Sequence, residues 1–168
     1  SGGASALLPA PRPPIDLAEK QEATRLLLEC GATIQEINAI RKHLSRLKGG
    51  RLARLAQPST LVSLVLSDVV GDSLDAIASG PTVPDSTTFE ECLRIVARYG
   101  LGDGIPVASL RLLRAGERGE IPETPKPGDP AFRRTQTVIV GSNALALEAA
   151  RARAQTLGHN TLVLSSVV

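Results

Sequence analysis

The sequence VSLVLSDVVGDSLDAIASGPTVP occupies residues 62–84 and joins a short apolar run to a loop rich in aspartate and glycine. The apolar run has the nearly continuous pattern of a strand that is covered on both faces in a parallel sheet. Asp68 and Asp72 follow this predicted strand at its carboxyl end, where open α/β sheets bind their ligands. We therefore predict a binding or catalytic site at this end of the strand.

The two aspartates have two interpretations. Gly71 lies between them and lets the backbone turn sharply or come close to a ligand. The spacing of Asp68 and Asp72 suits a magnesium ion that is held by one or two acids together with substrate phosphates. Aspartates in this position also cap turns and helix starts. The residues alone leave both interpretations open.

The composition limits the function classes. A chain of 168 residues with 42% hydrophobic content can form one globular domain with its own core. Aromatic residues make up only 2% of the chain, which argues against a surface that stacks single-stranded nucleic acid. The net charge of +2 is too balanced for a general polyanion binder. No apolar run approaches the roughly 18 residues of a membrane span. We expect a soluble cytoplasmic protein without nucleic-acid or membrane partners.

Helix and strand patterns alternate along the chain, which predicts an α/β fold with parallel crossovers. Asp16 is a predicted helix cap, and Thr33 with Glu36 predicts a capping box. Residues 117–135 are rich in proline, glycine and charge, which predicts a mobile surface loop. The predicted helices cover 17–29, 33–46, 86–99, 106–115 and 144–157, and the predicted strands cover 61–67, 137–140 and 161–165. A short amphipathic run up to Ala56 follows the second helix.

The predicted helix from Thr33 carries its polar residues in one stripe beside a core stripe. The core stripe consists of Ile34, Ile37, Ile40, Leu44 and Leu47, and the polar stripe of Asn38, Arg41, Ser45 and Lys48, with Lys42 at its border. Such a stripe can bind several phosphate or carboxylate oxygens at once. A solvated basic face is the alternative. Gly49 and Gly50 follow the stripe and could add backbone amides to an anion site.

Two glycine-containing loops also resemble anion sites. The first consists of Ser1, Gly2, Gly3 and Ser5 and precedes a predicted helix start. The second consists of Gly141, Ser142 and Asn143 and joins a predicted strand to a helix, so a plain turn with a helix cap explains it as well. Neither GxxxxGK[ST] nor GxGxxG occurs in the sequence.

Together, these loops, the polar stripe and the aspartates predict one anionic site at one edge of the sheet. Phosphoryl transfer fits this site best, because it depends on positioning and charge neutralisation more than on a covalent nucleophile. We assign no catalytic role to either histidine. Cys30 and Cys92 are too far apart for a metal-ligand spacing or a disulfide framework, and we expect both to be small buried side chains.

Four segments resemble the class II glycerate kinases, a family that also carries an older hydroxypyruvate reductase label. They are SGGASALLPAP, EINAIRKHLSRLKGGRLA, SLVLSDVVGDSLDAIASGPTVPD and VGSNALALEAA, and they occur in this order over essentially the whole chain. The resemblance implies a Rossmann-like, three-layer α/β/α domain with a mostly parallel sheet. It also implies a longer protein of two α/β domains, of which residues 1–168 are part of the amino-terminal one.

The activity implied by the resemblance is ATP- and Mg²⁺-dependent phosphorylation of D-glycerate to a phosphoglycerate. Residues that match the family's motifs are Ser1, Gly2, Gly3, Ser5, Asn38, Arg41, Lys42, Lys48, Gly49, Gly50, Asp68, Asp72, Ser79, Gly80 and Thr82. We expect Arg41 and Lys42 to bind a carboxylate or phosphate, and Asp68 or Asp72 to position the metal or the attacking hydroxyl. Ala4 stands where the family usually has a glycine. Alanine, unlike glycine, resists a positive φ.

Other expectations follow from the same resemblance. The family contributes a lysine upstream and an arginine from its second domain, so the chain alone should be inactive. The resemblance is compatible with a homodimer. The alternative functions are a hydroxypyruvate reductase and a non-catalytic module that binds a phosphorylated metabolite.

Overall fold

A computed structural model of the chain describes residues 3–165. Ser1 and Gly2, which sequence analysis assigned to the first glycine loop, lie outside the described residues. The helices are α1 (Ala4–Leu7), α2 (Leu17–Glu29), α3 (Ile34–His43), α4 (Arg51–Leu55), α5 (Phe89–Arg98), α6 (Val107–Glu117) and α7 (Asn143–Thr156), and the strands are β1 (Leu61–Ser67) and β2 (Thr135–Ser142). Short 3-10 turns cover Val70–Asp72, Ile77–Ser79 and Pro130–Phe132.

Helices α2 and α3 begin at the capping residues that the sequence indicates. The Asp16 carboxylate accepts a hydrogen bond from the Glu19 amide at 2.7 Å, and Glu19 in turn accepts from the Asp16 amide. Thr33 and Glu36 form the same reciprocal pair, so the predicted capping box is confirmed. These bonds satisfy amides that have no partner inside their helices.

Helix α3 ends at His43, three residues earlier than predicted. Beyond it the chain turns, and Ser45 forms an isolated antiparallel bridge with Pro11 in the segment that precedes α2. The Arg12 amide donates to the Leu44 carbonyl, and the Arg46 amide donates to the Ala10 carbonyl, both at 3.0 Å. Because these backbone groups are used across the chain, the helical ladder cannot continue past His43.

The core lies between α2, α3, α5 and α6. Its fully buried side chains include Leu27, Ile40, Phe89 and Leu113. The Phe89 ring packs edge-on against the His43 ring, with centroids 4.5 Å apart. Burial of aliphatic and aromatic surface of this kind is the main favourable contribution to folding.

Strands β1 and β2 are parallel, and α5 and α6 lie between them in sequence. The register pairs Leu61 with Thr135 and Ser67 with Ser142, with an irregularity after Val65. A parallel pair requires a crossover connection of this length. The predicted α/β class, with a parallel sheet flanked by helices, is confirmed.

Two predictions about the sheet are wrong for the described residues. Strand β1 is not covered on both faces, since the side chains of Val62, Leu64 and Leu66 are 54–69% exposed within residues 3–165. The predicted strand at 161–165 is an irregular segment in the structure. No helix in the described part of the chain is long and apolar enough to cross a membrane.

The predicted loop at 117–135 is largely irregular beyond α6, but its middle does not lie on the surface. Thr124 is buried, and the Pro125 carbonyl accepts a hydrogen bond from the Asp85 amide at 2.9 Å. Glu123 accepts from the Phe89 amide at 2.7 Å and contacts the His43 ring. The segment is therefore anchored to the helical core by hydrogen bonds that a composition-based prediction does not reveal. Cys92 is buried as predicted, whereas Cys30 is half-buried.

We expect Gly116→Ala to lower the stability of the complete gene product. A Cβ atom at this position of α6 would lie 2.3 Å from the Phe89 ring, and such overpacking costs about 1–3 kcal/mol. Gly102→Ala is the matched control, because its Cβ would meet no atom within 4 Å. Thermal denaturation of both variants measures the difference. Equal melting temperatures would contradict the tight packing of α6 on Phe89.

Candidate active site

A cleft of about 550 Å³ lies between α3, the start of α1 and the segment after β1. Asn38 and Arg41 line it from α3, Ser5 lines it from α1, and Asp68 lines it from the carboxyl end of β1. Asp68 is exposed, whereas Asn38 is buried. The fold thus brings a guanidinium, an amide, a hydroxyl and a carboxylate to one opening.

The two predicted carboxylates do not share this cleft. Asp68 is in its lining, but Asp72 is not, because the backbone reverses between them. Gly71 has a φ of 76° and Asp72 a φ of 53°, so both residues adopt left-handed backbone. Residues 3–165 contain no group of three or more His, Cys, Asp or Glu side chains that could hold a metal ion. A magnesium site in this part of the chain would therefore rely on one or two acids and on oxygens of the ligand.

Lys48 is buried and connects three segments at the base of the cleft. Its ammonium group donates to the carbonyl and hydroxyl oxygens of Ser5, at 2.8 and 2.9 Å, and to the Ala78 carbonyl at 3.2 Å. Ser79 donates its hydroxyl to the Asn38 side-chain oxygen at 2.9 Å and lies 3.0 Å from the Ser5 hydroxyl. Residues of the polar stripe thus form hydrogen bonds inside the protein and also line the cleft.

The turn at 78–80 has an unusual backbone. Ala78, Ser79 and Gly80 all have positive φ values, of 53°, 61° and 59°. Such a conformation is costly for residues with a side chain and persists only where the surroundings hold it. The Gly49 and Gly50 amides donate to the Ser79 and Gly80 carbonyls at 3.0 and 2.7 Å. These amides therefore hold the turn and are not directed at a ligand.

Gly50 is also required by close packing. A Cβ atom there would lie 2.7 Å from the Phe132 ring and 2.9 Å from the Val83 carbonyl oxygen, and its φ is 77°. Both facts favour glycine for reasons of packing and backbone conformation. The glycine pair that the sequence singles out is thus explained without a ligand.

Lys42 lies behind the cleft instead of in its lining. It is buried and forms ion pairs with Asp75 and with Asp85, the latter at 3.2 Å. Burial acts to raise the pKa of Asp85, but the charge of Lys42 and a hydrogen bond from Thr87 outweigh it, so this pKa is lowered. Sequence analysis missed Asp75 and Asp85 as partners of Lys42, because a separation of more than 30 residues leaves no periodic signal.

Gly141, Ser142 and Asn143 join β2 to α7. The Ser142 hydroxyl accepts a hydrogen bond from the Leu145 amide at 3.3 Å, which is the helix-cap arrangement. Ser142 also pairs with Ser67 at the end of β1. Thr82, another residue of the predicted motif, is buried and places its hydroxyl 3.2 Å from that of Thr137. None of these residues is in the lining of the cleft within residues 3–165.

Several positive charges lie close together around the cleft. Burial, followed by the charges of Arg41 and Lys20, lowers the pKa of Lys48 to about 7. Burial and the charge of Arg41 lower the pKa of Lys20 to about 8. Burial also lowers the pKa of Arg41. Sequence analysis missed Lys20, because one lysine on a helix surface carries no motif.

The chain matches a family model described as a domain of unknown function, DUF4147, over residues 1–114. It is 50% identical along its whole length to a protein named glycerate kinase from Macaca fascicularis, of which it covers 41%. It is 44% identical, again along its whole length, to a putative hydroxypyruvate reductase from Agrobacterium vitis, of which it covers 36%. The crystal structure of glycerate kinase from Thermotoga maritima superimposes with a TM-score of 0.84 at 38% identity, over 97% of this chain and 36% of that one. The chain thus spans between about a third and two-fifths of the length of these proteins.

We expect the buried lysine to give the stability a specific pH dependence. The pKa of Lys48 is about 7 in the folded protein, against an ordinary value of 10.5, so the unfolded chain binds the extra proton between these values. The contribution of Lys48 to the free energy of unfolding therefore rises with pH from about 7 to about 10. Thermal denaturation of wild type and Lys48→Met across this range measures it. The difference in melting temperature should shift in favour of wild type as the pH rises, and a constant difference would contradict the buried charge.

Proposed function

We propose that this chain, which belongs to the DUF4147 family, is part of a glycerate kinase. In the intact protein, the γ-phosphate of ATP would be transferred to a hydroxyl of D-glycerate. The names of relatives at up to 50% identity support a kinase of this kind. The single structural observation that carries the proposal is the cleft that brings Arg41 and Asp68 together at the carboxyl end of β1.

Two side chains of the cleft lining suit the two functional groups of a hydroxy acid. Arg41 offers a guanidinium fork, which matches a carboxylate or a phosphate. Asp68 offers carboxylate oxygens that can accept a hydrogen bond from a hydroxyl or bind a hard cation. We propose that Arg41 binds the anionic group and that Asp68 orients the attacking hydroxyl or holds Mg²⁺. Asp72 lies outside the lining of the cleft, so Asp68 is the first choice for metal binding and Asp72 the second.

The transfer itself needs little covalent chemistry from the protein. The substrate oxygen forms a bond to the γ-phosphorus as the bond to the leaving ADP oxygen breaks, and charge develops on the phosphoryl oxygens. Mg²⁺ would neutralise part of this charge. The residues around the cleft bind and orient the substrate, and Lys42 supports the acidic loop through Asp75. We propose that Gly3 and Ser5 line the surface that receives the nucleotide, and that the buried Ser79 positions Ser5 from behind.

The remaining parts of the proposal concern the whole protein. We propose that residues 1–168 belong to the amino-terminal domain of a two-domain cytoplasmic enzyme that binds ATP and Mg²⁺. A homodimer is compatible with it, and partners other than small molecules are not part of the proposal. The second candidate is a hydroxypyruvate reductase, which the name of the Agrobacterium vitis relative favours. The absence of GxGxxG from this sequence argues against a nicotinamide site of the usual type here.

We expect Asp68→Asn in the complete gene product to reduce phosphorylation of D-glycerate by roughly 10²-fold or more, as loss of a transition-state contact does. ADP formation measured with saturating ATP and glycerate gives the rate. The matched control is Asp103→Asn, an exposed aspartate in the turn between α5 and α6. Near-normal turnover of the Asp68 variant would contradict its assignment.

The two candidate functions predict opposite results in one pair of assays. A kinase forms ADP from ATP and D-glycerate and leaves NADH unchanged in the presence of hydroxypyruvate. A reductase oxidises NADH with hydroxypyruvate and forms no ADP. We expect the first result for the complete gene product, and the second result would replace the kinase proposal.

A further inference from the structure

The fold buries two lysines and half-buries an arginine beside the cleft without giving any of them an acidic partner. Lys20 and Lys48 are 5% and 1% exposed, and Arg41 is half-buried in the cleft lining. Among residues 3–165, none of the three forms an ion pair. Lys42 differs from them, since it is equally buried but paired with Asp75 and Asp85.

The hydrogen bonds of the two lysines are with neutral oxygens. Lys48 donates to Ser5 and Ala78, and Lys20 donates to the Pro9 carbonyl. Within the described residues, Arg41 has no hydrogen-bond partner for its guanidinium. Five donors in a half-buried position without an acceptor are unfavourable unless water or a ligand supplies one.

The three cations also act on each other. The charge of Arg41 lowers the pKa of both Lys20 and Lys48, and the charge of Lys20 lowers that of Lys48. The carboxylates that face the same cleft are Asp68 and Asp75, on the segment after β1, and Asp75 is already paired with Lys42. An anion bound at Arg41 would therefore reduce the mutual repulsion of three cations that form no ion pair within residues 3–165.

We propose that Lys20, Arg41 and Lys48 form a single anion-binding wall of the cleft, in which Arg41 contacts a carboxylate or phosphate oxygen and the two lysines act on it through their charge. This inference rests on the proposed function only for the identity of the anion. It extends the site to two side chains that do not reach the ligand. We call these three residues the cationic wall.

The cationic wall has a consequence for pH. A bound anion favours the protonated form of Lys48 and so raises its pKa above the value of the free protein. Below about pH 7, Lys48 is protonated in both the free and the anion-bound protein, so its titration does not change the affinity for the anion. Above this pH, binding takes up a proton and affinity falls as the pH rises.

The test measures binding to the complete gene product by titration calorimetry. The probes are D-glycerate, a non-hydrolysable ATP analogue with Mg²⁺, and inorganic phosphate at constant ionic strength. We expect Arg41→Met to weaken at least one probe by about 10–100-fold, as loss of a charge-assisted hydrogen bond does. If only the binding of glycerate is weakened, the cationic wall binds the carboxylate. If only the binding of the nucleotide is weakened, it binds a phosphate.

Lys48→Met separates the wall from a single arginine site. We expect it to weaken the same probe by about 3–30-fold, the range for a nearby charge that is partly screened. It should also reduce the fall in affinity between pH 7 and pH 9. Lys48→Arg keeps the charge and should retain most of the affinity. Arg46→Met is the matched control, because Arg46 is exposed and outside the cleft lining.

Two results would overturn the inference. One is that Arg41→Met and Arg41→Lys, both shown to fold by their melting temperatures, bind all three probes as wild type does. The other is that Lys48→Met binds normally with an unchanged pH dependence. Either result could occur while the wild type still phosphorylates glycerate, so the kinase proposal would stand. Conversely, binding that depends on the cationic wall without any phosphotransfer would support the wall and reject the kinase.

Discussion

The hydrogen bonds from Lys48, Gly49 and Gly50 to the turn at 78–80 hold together the segments that form the cleft. Ala78 and Ser79 adopt a left-handed backbone that their side chains disfavour. Three donors, the Lys48 ammonium group and the amides of Gly49 and Gly50, bind the carbonyl oxygens of this turn. The same ammonium group also holds Ser5 of α1. The position of Asp68 relative to Arg41 depends on this arrangement, because the acidic loop runs directly into the turn.

The local features of the fold could be predicted from the sequence because they depend on residues close together in the chain. The capping pair of Thr33 and Glu36 and the bounds of β1 at 61–67 are examples. The end of α3 could not be predicted, since it depends on pairing with residues 10–12, more than 30 positions away. Sequence patterns report the residues next to one another, whereas this pairing is a matter of tertiary structure.

The candidate site could be predicted only in part, for the same reason. Its location after β1 follows from the general geometry of parallel sheets, and Arg41 with Asp68 follows from motif spacing. The roles of the other cations could not be predicted in this way. Lys42 and Lys48 are both lysines of the same polar segment, but they differ in their partners. Lys42 lies between two carboxylates, whereas Lys48 lies among neutral oxygens. Only the three-dimensional surroundings decide which lysine carries a compensated charge.

The bare face of β1 affects how the described domain would behave in isolation. Val62, Leu64 and Leu66 form an apolar row whose side chains are more than half exposed within residues 3–165. Contiguous exposed apolar surface favours association between molecules. Preparations limited to these residues would therefore tend to self-associate, and a charged substitution at Leu64 would improve their solubility.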